Sequence, residues 1–316
     1  MEHYSIAILI PCFNEEPTIA GVVTHFREIM PASNIYVYDN NSTDRTAVTA
    51  EEAGAIVRRE PFQGKGNVVR RMFADIEADV YVLADGDETY DVASAPKLVS
   101  TLIRHKLDMV SASRITTQST AYRPAHKFGN KFLSGLVAWL FGDRFKDILT
   151  GYRVFSRRFV KSFPALSRGF EIETELTVHA LELRMPSEEI DTPYHSRPVG
   201  SESKLSTWGD GTRIFFTILR LLKDVRPMFF FTTISIILAT TSIFLAWPLL
   251  TTYIETGLVP RFPTAILSTG LMSIAFMNLM SGIILDSVTR GRRELKRMSY
   301  LNIPSLDCRR GKDREE

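Results

Sequence analysis

The sequence predicts an α/β fold with a mainly parallel sheet over residues 1–208, followed by a helical membrane hairpin. Three observations lead there. Short β-rich apolar runs alternate with helical patterns along the N-terminal part of the chain, as in a sheet covered by helices. Polar, acidic and glycine-bearing clusters fall at the carboxyl ends of those runs, where such sheets gather ligands. Two long stretches without a charged residue, Met228–Leu250 and Phe262–Leu285, follow.

Ile6–Ile10 is the first expected strand, Thr18–Ile29 a helix and Asn34–Tyr38 the second strand. Thr43–Ala53 then makes a helix, Ala55–Arg58 a short third strand, Gly66–Asp75 a helix and Asp79–Ala84 a fourth strand. Cys12–Glu16, Asp39–Asp44 and Asp85–Asp91 occupy the strand ends. Further along, Glu173-Thr174-Glu175-Leu176 begins a helix running to Leu183.

Each uncharged stretch is about 23 residues, enough at 1.5 Å rise per residue to cross the roughly 30 Å hydrocarbon core. A core helix would show an amphipathic stripe, whereas these are greasy all round, so two membrane spans are expected. Thr251–Arg261, with Gly257 and Pro260, is the expected hairpin turn. Arg213, Arg220, Lys223 and Arg226 precede the first span, and Arg290, Arg292, Arg293, Lys296 and Arg297 follow the second. The positive-inside bias puts both flanks, and the N-terminal domain, on the cytoplasmic side. Ile6–Cys12 is too short for a signal peptide and lacks a basic n-region and a cleavage site.

Between the domain and the first span, Phe215, Ile218, Leu219 and Leu222 share one helical face, away from Arg213, Arg220 and Lys223. Such a helix suits the headgroup layer. The run Phe128–Phe141 either does the same or packs on the sheet. The expected organisation is a cytoplasmic domain over 1–208, an interfacial helix over 209–227, two spans within 228–288 and a basic tail over 289–316.

Lys and Arg total 38 against 36 Asp and Glu, a net charge of +2 that gives no basic field for nucleic acid. The excess cations sit beside the spans, where anionic lipid headgroups are the matching partner. Cys12 and Cys308 lie nearly the whole chain apart, and the six histidines lack metal-ligand or triad spacing. A disulfide framework and a zinc site are therefore not expected.

Asp85-Gly86-Asp87 lets one loop aim two carboxylates at a hard divalent cation, Mg²⁺ or Mn²⁺, although an acidic turn uses the same residues. Gln63-Gly64-Lys65-Gly66 lacks the full spacing of a Walker motif, which argues against ATP hydrolysis. Lys65 either lines a nucleotide pocket or is a solvated lysine in a tight turn.

The ordered set Ile8-Leu9-Ile10-Pro11-Cys12-Phe13-Asn14-Glu15-Glu16, Asp39-Asn40-Asn41-Ser42-Thr43-Asp44, Gln63-Gly64-Lys65-Gly66 and Asp85-Gly86-Asp87 resembles a family 2 glycosyltransferase of the GT-A fold, with its Rossmann-like, mainly parallel sheet. Thr150-Gly151-Tyr152-Arg153 and Arg197-Pro198-Val199-Gly200-Ser201-Glu202-Ser203-Lys204 narrow the likeness to polyprenyl-phosphate and dolichyl-phosphate sugar synthases. The motifs cover residues 5 to about 210, and a membrane hairpin also occurs in many members.

This resemblance implies an inverting transfer of a sugar from a nucleotide-diphosphate donor to polyprenyl phosphate. It implies that Asp39 accepts a hydrogen bond from the base, that Pro11, Asn14 and Glu15 form the base and ribose loop, and that Asp85, Gly86 and Asp87 hold metal and diphosphate. Many relatives carry a Gln where Thr89 stands, which leaves Glu88 and Asp91 as candidates for a third metal ligand. Arg114, Lys127, Arg153, Arg197 and Lys204 are the cations in matching motifs, Arg197 and Lys204 the pair best placed to fold over a diphosphate. Asp147 stands where alcohol-accepting relatives put their catalytic base; here it orients the acceptor, anchors Arg153 or steadies the metal. Glu173 either contacts the sugar or favours its helix N-terminus, and Asp39 and Glu15 have similar alternatives. A phosphate acceptor is already largely dianionic at pH 7, so no general base is required. The rival readings are an alcohol-accepting or polysaccharide-building synthase, whose Gln-x-x-Arg-Trp motif is missing here, and a non-catalytic membrane scaffold.

Overall fold

A computed structural model describes residues 4–115, 135, 145–165, 167–169, 171–195, 219–220 and 222–306. Lys127, Arg197, Lys204, most of Phe128–Phe141, most of the expected interfacial helix and the end of the chain lie outside the described residues. Two units are present: residues 1–214 together with 296–316, and residues 215–295.

The first unit holds a seven-stranded sheet in the order β3-β2-β1-β4-β6-β5-β7. Its strands are β1 (Ile6–Cys12), β2 (Asn34–Asp39), β3 (Ile56–Arg59), β4 (Val80–Leu83), β5 (Met109–Ile115), β6 (Arg153–Ser156) and β7 (Ser187–Pro193). The helices are α1 (Ile19–Ile29), α2 (Thr46–Glu52), α3 (Lys65–Asp75), α4 (Ala95–Arg104), α5 (Arg157–Ser162) and α6 (Ile172–Glu182). All pairings are parallel except those of β6, which runs antiparallel to both β4 and β5.

Alternation along the strands divides the core. Ile6, Ile8, Ile10, Val80 and Val82 pack with Ile19, Val22, Val23 and Phe26 of α1 and with Leu98, Val99 and Leu102 of α4. On the opposite face Tyr81 and Phe155 meet Phe73 of α3 edge-on, at 6.3 and 5.8 Å between ring centroids. The chain leaves β1 toward β2 and β3 on one side and returns to its other side through β4, so the strand order reverses between β1 and β4. That switch point opens a crevice at the carboxyl edge, the place where open α/β sheets bind ligands. Leu9 of β1 pairs with Leu83, the last residue of β4, so residues 85–87 begin on the shelf below Pro11 and Cys12.

Helix α2 starts three residues later than its sequence suggests. Thr43 N–H goes to Asn14 Oδ1 (2.8 Å), and Asp44 Oδ1 accepts Thr46 N–H (3.0 Å), so side chains take the first donors before the helix can.

The second unit contains α7 (Pro227–Thr256) and most of α8 (Phe262–Leu301), each long and apolar enough to cross a membrane. Ser235, Ser242 and Leu249 of α7 and Ser268, Ala275, Gly282 and Thr289 of α8 are buried, seven residues apart. Ser242 Oγ donates to Ser268 O (2.8 Å) and Ser235 Oγ to Ala275 O (2.7 Å), which defines an antiparallel seam of small residues. The expected turn at Thr251–Arg261 is shorter in the structure. Thr251, Thr252 and Thr256 return their hydroxyls to carbonyls three or four residues back, and the helix stops only at Gly257, whose φ of 73° is left-handed. Beyond Leu285 the chain stays helical to Leu301, so the first part of the basic tail is helix.

Candidate active site

Three loops meet at the crevice. Asn14, with φ 53°, places its N–H on Ser42 Oγ (2.9 Å), and Glu15 N–H donates to Thr46 Oγ1 (2.8 Å), tying the loop after β1 to the loop after β2. Asp39 is buried at the end of β2, where its Oδ1 accepts Ser42 N–H (3.2 Å). Asp44, rather than Asp39, accepts the first N–H of α2. Asn40 fastens the third loop: its amide donates to Glu60 O (3.0 Å) and Phe62 O (2.8 Å) and accepts from Gly64 N (2.6 Å).

The glycine-bearing loop is not a phosphate cradle. Gly66 N–H goes to Arg168 O (3.0 Å), and a Cβ on either Gly64 or Gly66 would collide with the backbone of Arg168 or Ser167. These glycines let two loops touch, and the contact fixes Lys65 at the start of α3. The Lys65 ammonium, its side chain only 8 % exposed, sits 2.5 Å from Asp85 Oδ1 and 2.7 Å from Glu173 Oε1. Burial alone would depress its pKa, but the two carboxylates outweigh burial and hold it above the ordinary lysine value. Burial lifts the Glu173 carboxyl above its usual range against the pull of Lys65. Lys65 is therefore an internal ion-pair partner, not a solvated turn residue.

Asp87 is buried, with its Oδ1 accepting from Thr89 Oγ1 (2.6 Å) and Thr89 N–H (3.2 Å). Thr89 thus orients Asp87. Gly86 O receives Thr18 Oγ1 (2.7 Å), which anchors the acidic loop to the approach of α1. Glu88 has φ 58° and turns toward His25 (3.9 Å), while Asp91 accepts from Ser94 Oγ (2.6 Å). Neither is gathered with Asp85 and Asp87: among the described residues no group of three or more His, Cys, Asp or Glu could hold a metal. Asp85 and Asp87 are two carboxylates on one short loop, the donor chemistry that a hard dication uses when substrate phosphates complete its shell.

Arg114, at the end of β5, grips Asp147 through both oxygens, Nε to Oδ2 at 2.6 Å and Nη2 to Oδ1 at 2.8 Å. Its guanidinium also lies over the Tyr194 ring, 5.5 Å from the centroid. Glu189 of β7 receives the N–H groups of Lys146 and Asp147, both at 2.9 Å, and so holds the backbone before the carboxylate.

Arg153 differs from the sequence expectation. It is 0 % exposed, and it donates to Thr150 O (2.9 Å) and Ile148 O (2.8 Å). Burial lowers its pKa to about 10, so it keeps its charge at neutral pH. A side chain so enclosed cannot meet a diphosphate; it shapes the 147–151 turn. That turn brings Gly151 against the site, where a Cβ would lie 2.6 Å from Asp85 Oδ2 and 2.8 Å from Lys65 Nζ. Gly151 N–H donates to the buried hydroxyl of Tyr90 (2.8 Å).

Asn40, Thr89, Tyr90 and Glu189 are the site residues to which the sequence assigned no role. Asn40 lay in plain view inside the Asp39–Asp44 motif, whereas Tyr90 and Glu189 carry no local signal.

The sequence model described as glycosyl transferase family 2 matches residues 7–162. Glycosyltransferase AglJ of Haloferax volcanii is 30% identical over 299 residues, 94% of this chain and 98% of that one. A dolichyl-phosphate hexose transferase of the same organism is 27% identical over 222 residues, 70% of this chain and 95% of that one. The crystal structure of Mycobacterium tuberculosis glucosyl-3-phosphoglycerate synthase with Mn²⁺, UDP and glucosyl-3-phosphoglycerate covers 70% of this chain and 80% of its own with a TM-score of 0.58 at 22% identity, a likeness of fold. Loops fixed at the switch point of a GT-A sheet, together with a relative matched over nearly its whole length, establish that this chain belongs to the family 2 glycosyltransferases.

Proposed function

We propose that this glycosyltransferase is anchored in the membrane and moves a sugar, with inversion, from a nucleotide-diphosphate donor to polyprenyl phosphate, undecaprenyl or dolichyl, forming a polyprenyl-phosphate monosaccharide. A UDP-sugar is the favoured donor and GDP-mannose the other candidate. The observation that carries the reading is the pairing of one carboxylate. Asp147, the carboxylate in the position of a catalytic base, is held on both oxygens by Arg114. A carboxylate clamped by an arginine is a poor proton acceptor. An alcohol nucleophile would need one; a phosphate dianion does not.

In the proposed reaction a lipid phosphate oxygen attacks the anomeric carbon, the bond from that carbon to the donor's β-phosphate oxygen breaks, and the nucleoside diphosphate leaves with the bonding pair. No proton moves. Asp39 and the loop of Pro11, Asn14 and Glu15 receive the nucleoside, while Arg197 and Lys204 offset the repulsion between two phosphate-bearing substrates. Mg²⁺ or Mn²⁺ on Asp85 and Asp87 would supply positive charge against the departing diphosphate. The name of the dolichyl-phosphate hexose transferase relative and the two apolar helices support a lipid acceptor. The basic flanks favour a cytoplasmic catalytic face, with membrane lipids and a separate translocating protein as partners and no nucleic acid. Assembly into a homo-oligomer is compatible with this arrangement.

The test is transfer from a panel of labelled UDP- and GDP-sugars, in detergent, to polyprenyl phosphate and to the corresponding free polyprenol. Label is expected only in the phosphate lipid, and chelation should abolish it. Comparable transfer to the free alcohol would overturn the reading.

A further inference from the structure

The ammonium of Lys65 and a divalent cation want the same carboxylate. Lys65 Nζ lies 2.5 Å from Asp85 Oδ1, and its second contact, Glu173 Oε1, is 2.7 Å away on a different element. The close approach of Gly151 to both Asp85 and Lys65 leaves the pair little room to part sideways. Asp87, oriented by Thr89, is the other carboxylate of the motif, and among the described residues no third ligand joins the two. Protein ligands are therefore few, and one of them is already neutralised.

We propose that Lys65 is an internal counter-cation that gates metal binding: it keeps Asp85 neutralised, so a divalent ion binds tightly only together with the donor's diphosphate, whose oxygens complete its shell, while Glu173 retains the ammonium. This rests on the nucleotide-diphosphate donor proposed above. Like charges in a poorly screened site repel strongly, so an ammonium on Asp85 opposes a bare dication far more than one already carrying a diphosphate. The design couples metal and donor and keeps the site from holding a metal without its substrate. Glu173 gains a role that neither sugar contact nor helix capping describes, as the second seat of the lysine.

Titrating Mn²⁺ into the full-length protein in detergent, followed by its electron paramagnetic resonance signal, tests this without any turnover. Wild type should bind Mn²⁺ at least tenfold more tightly with UDP or GDP present than without, beyond the affinity of Mn²⁺ for the free nucleotide. Lys65→Met should raise nucleotide-free Mn²⁺ affinity about tenfold, whereas Lys65→Arg, which keeps the charge, should not. Glu173→Gln, which removes the second carboxylate charge from the ammonium and so strengthens its hold on Asp85, should weaken Mn²⁺ binding in the presence of nucleotide several-fold. Should Lys65→Met unfold, as its melting temperature would show, Lys65→Gln takes its place. Unchanged nucleotide-free affinity in a folded charge-removing variant, or an unchanged nucleotide-dependent affinity in Glu173→Gln, overturns the gate and leaves the donor reading standing. Failure of wild type to bind either nucleotide with Mn²⁺ overturns both.

Discussion

Arg114 and Asp147 form a two-pronged ion pair, 2.6 and 2.8 Å long, at the mouth of the sheet crevice, with both side chains largely buried. A bidentate guanidinium of this kind fixes a carboxylate in orientation as well as charge. Asp147 is thereby fixed in place, with Glu189 holding the backbone before it and Leu149 N–H on its own Oδ1.

Asp147→Asn is accordingly expected to lower kcat by only about tenfold and to leave the shape of the pH–rate profile unchanged, because a general base contributes roughly 10²–10⁴. Arg114→Ala, which frees a buried carboxylate, should cost more, about 100-fold in kcat/KM. Steady-state kinetics between pH 6 and 9 check both; loss of the basic plateau in Asp147→Asn would make that residue the base.

Gly151→Ala puts a methyl group 2.6 Å from Asp85 Oδ2 and 2.8 Å from Lys65 Nζ. The lysine–carboxylate pair must shift while the backbone, outside the left-handed region, tolerates alanine. Activity should fall by about 10- to 100-fold, the range expected of a misplacement on the order of 1 Å, with little change in melting temperature. A large drop in melting temperature at unchanged kcat would contradict this assignment.

Arg153→Met removes the donors from Ile148 O and Thr150 O in a buried turn. Each unsatisfied carbonyl costs about 1–3 kcal/mol, so a destabilisation of about 2–6 kcal/mol is expected in denaturant unfolding. Arg153→Lys should recover little, since one ammonium cannot span both carbonyls as the guanidinium does. Wild-type stability in Arg153→Met would return the residue to a role in ligand binding.

His179 is buried on α6 between Phe159 and Phe163, with ring centroids 5.3 Å from each. Burial, with a smaller push from Lys296, holds its pKa down to about 3. The unfolded chain therefore binds a proton near pH 6.5 that the folded protein refuses. Stability contributed by neutral His179 is complete above about pH 6.5 and is lost progressively as pH falls toward 3. His179→Phe should flatten the dependence of melting temperature on pH between 6.5 and 4, and an unaltered slope would place the titration elsewhere.

Much of the site was legible along the chain because parallel strands end at one edge, so clusters at successive strand ends must converge. Asp39, Asp85 and the loop after Cys12 are brought together for that reason alone. Lys65 stood out in the sequence as a candidate, but its partner Glu173 lies 108 residues away and no local pattern joins them. Proximity in sequence made Glu88 and Asp91 candidates for a third ligand, and the structure adds that the backbone at Glu88 turns its side chain toward α1.

By itself the sequence determined the alternation of strands and helices, the family and the two apolar helices, since these follow from periodicity, composition and the order of short motifs. Only the tertiary structure decided which charges neutralise each other. Arg153, read as a cation for phosphate, is spent on two backbone carbonyls, and Arg114 is bound to Asp147. The reason is physical: charge strength in a site depends on distance and burial, which change as ~1/r and with the local dielectric, and neither quantity is written in the spacing of residues along a chain.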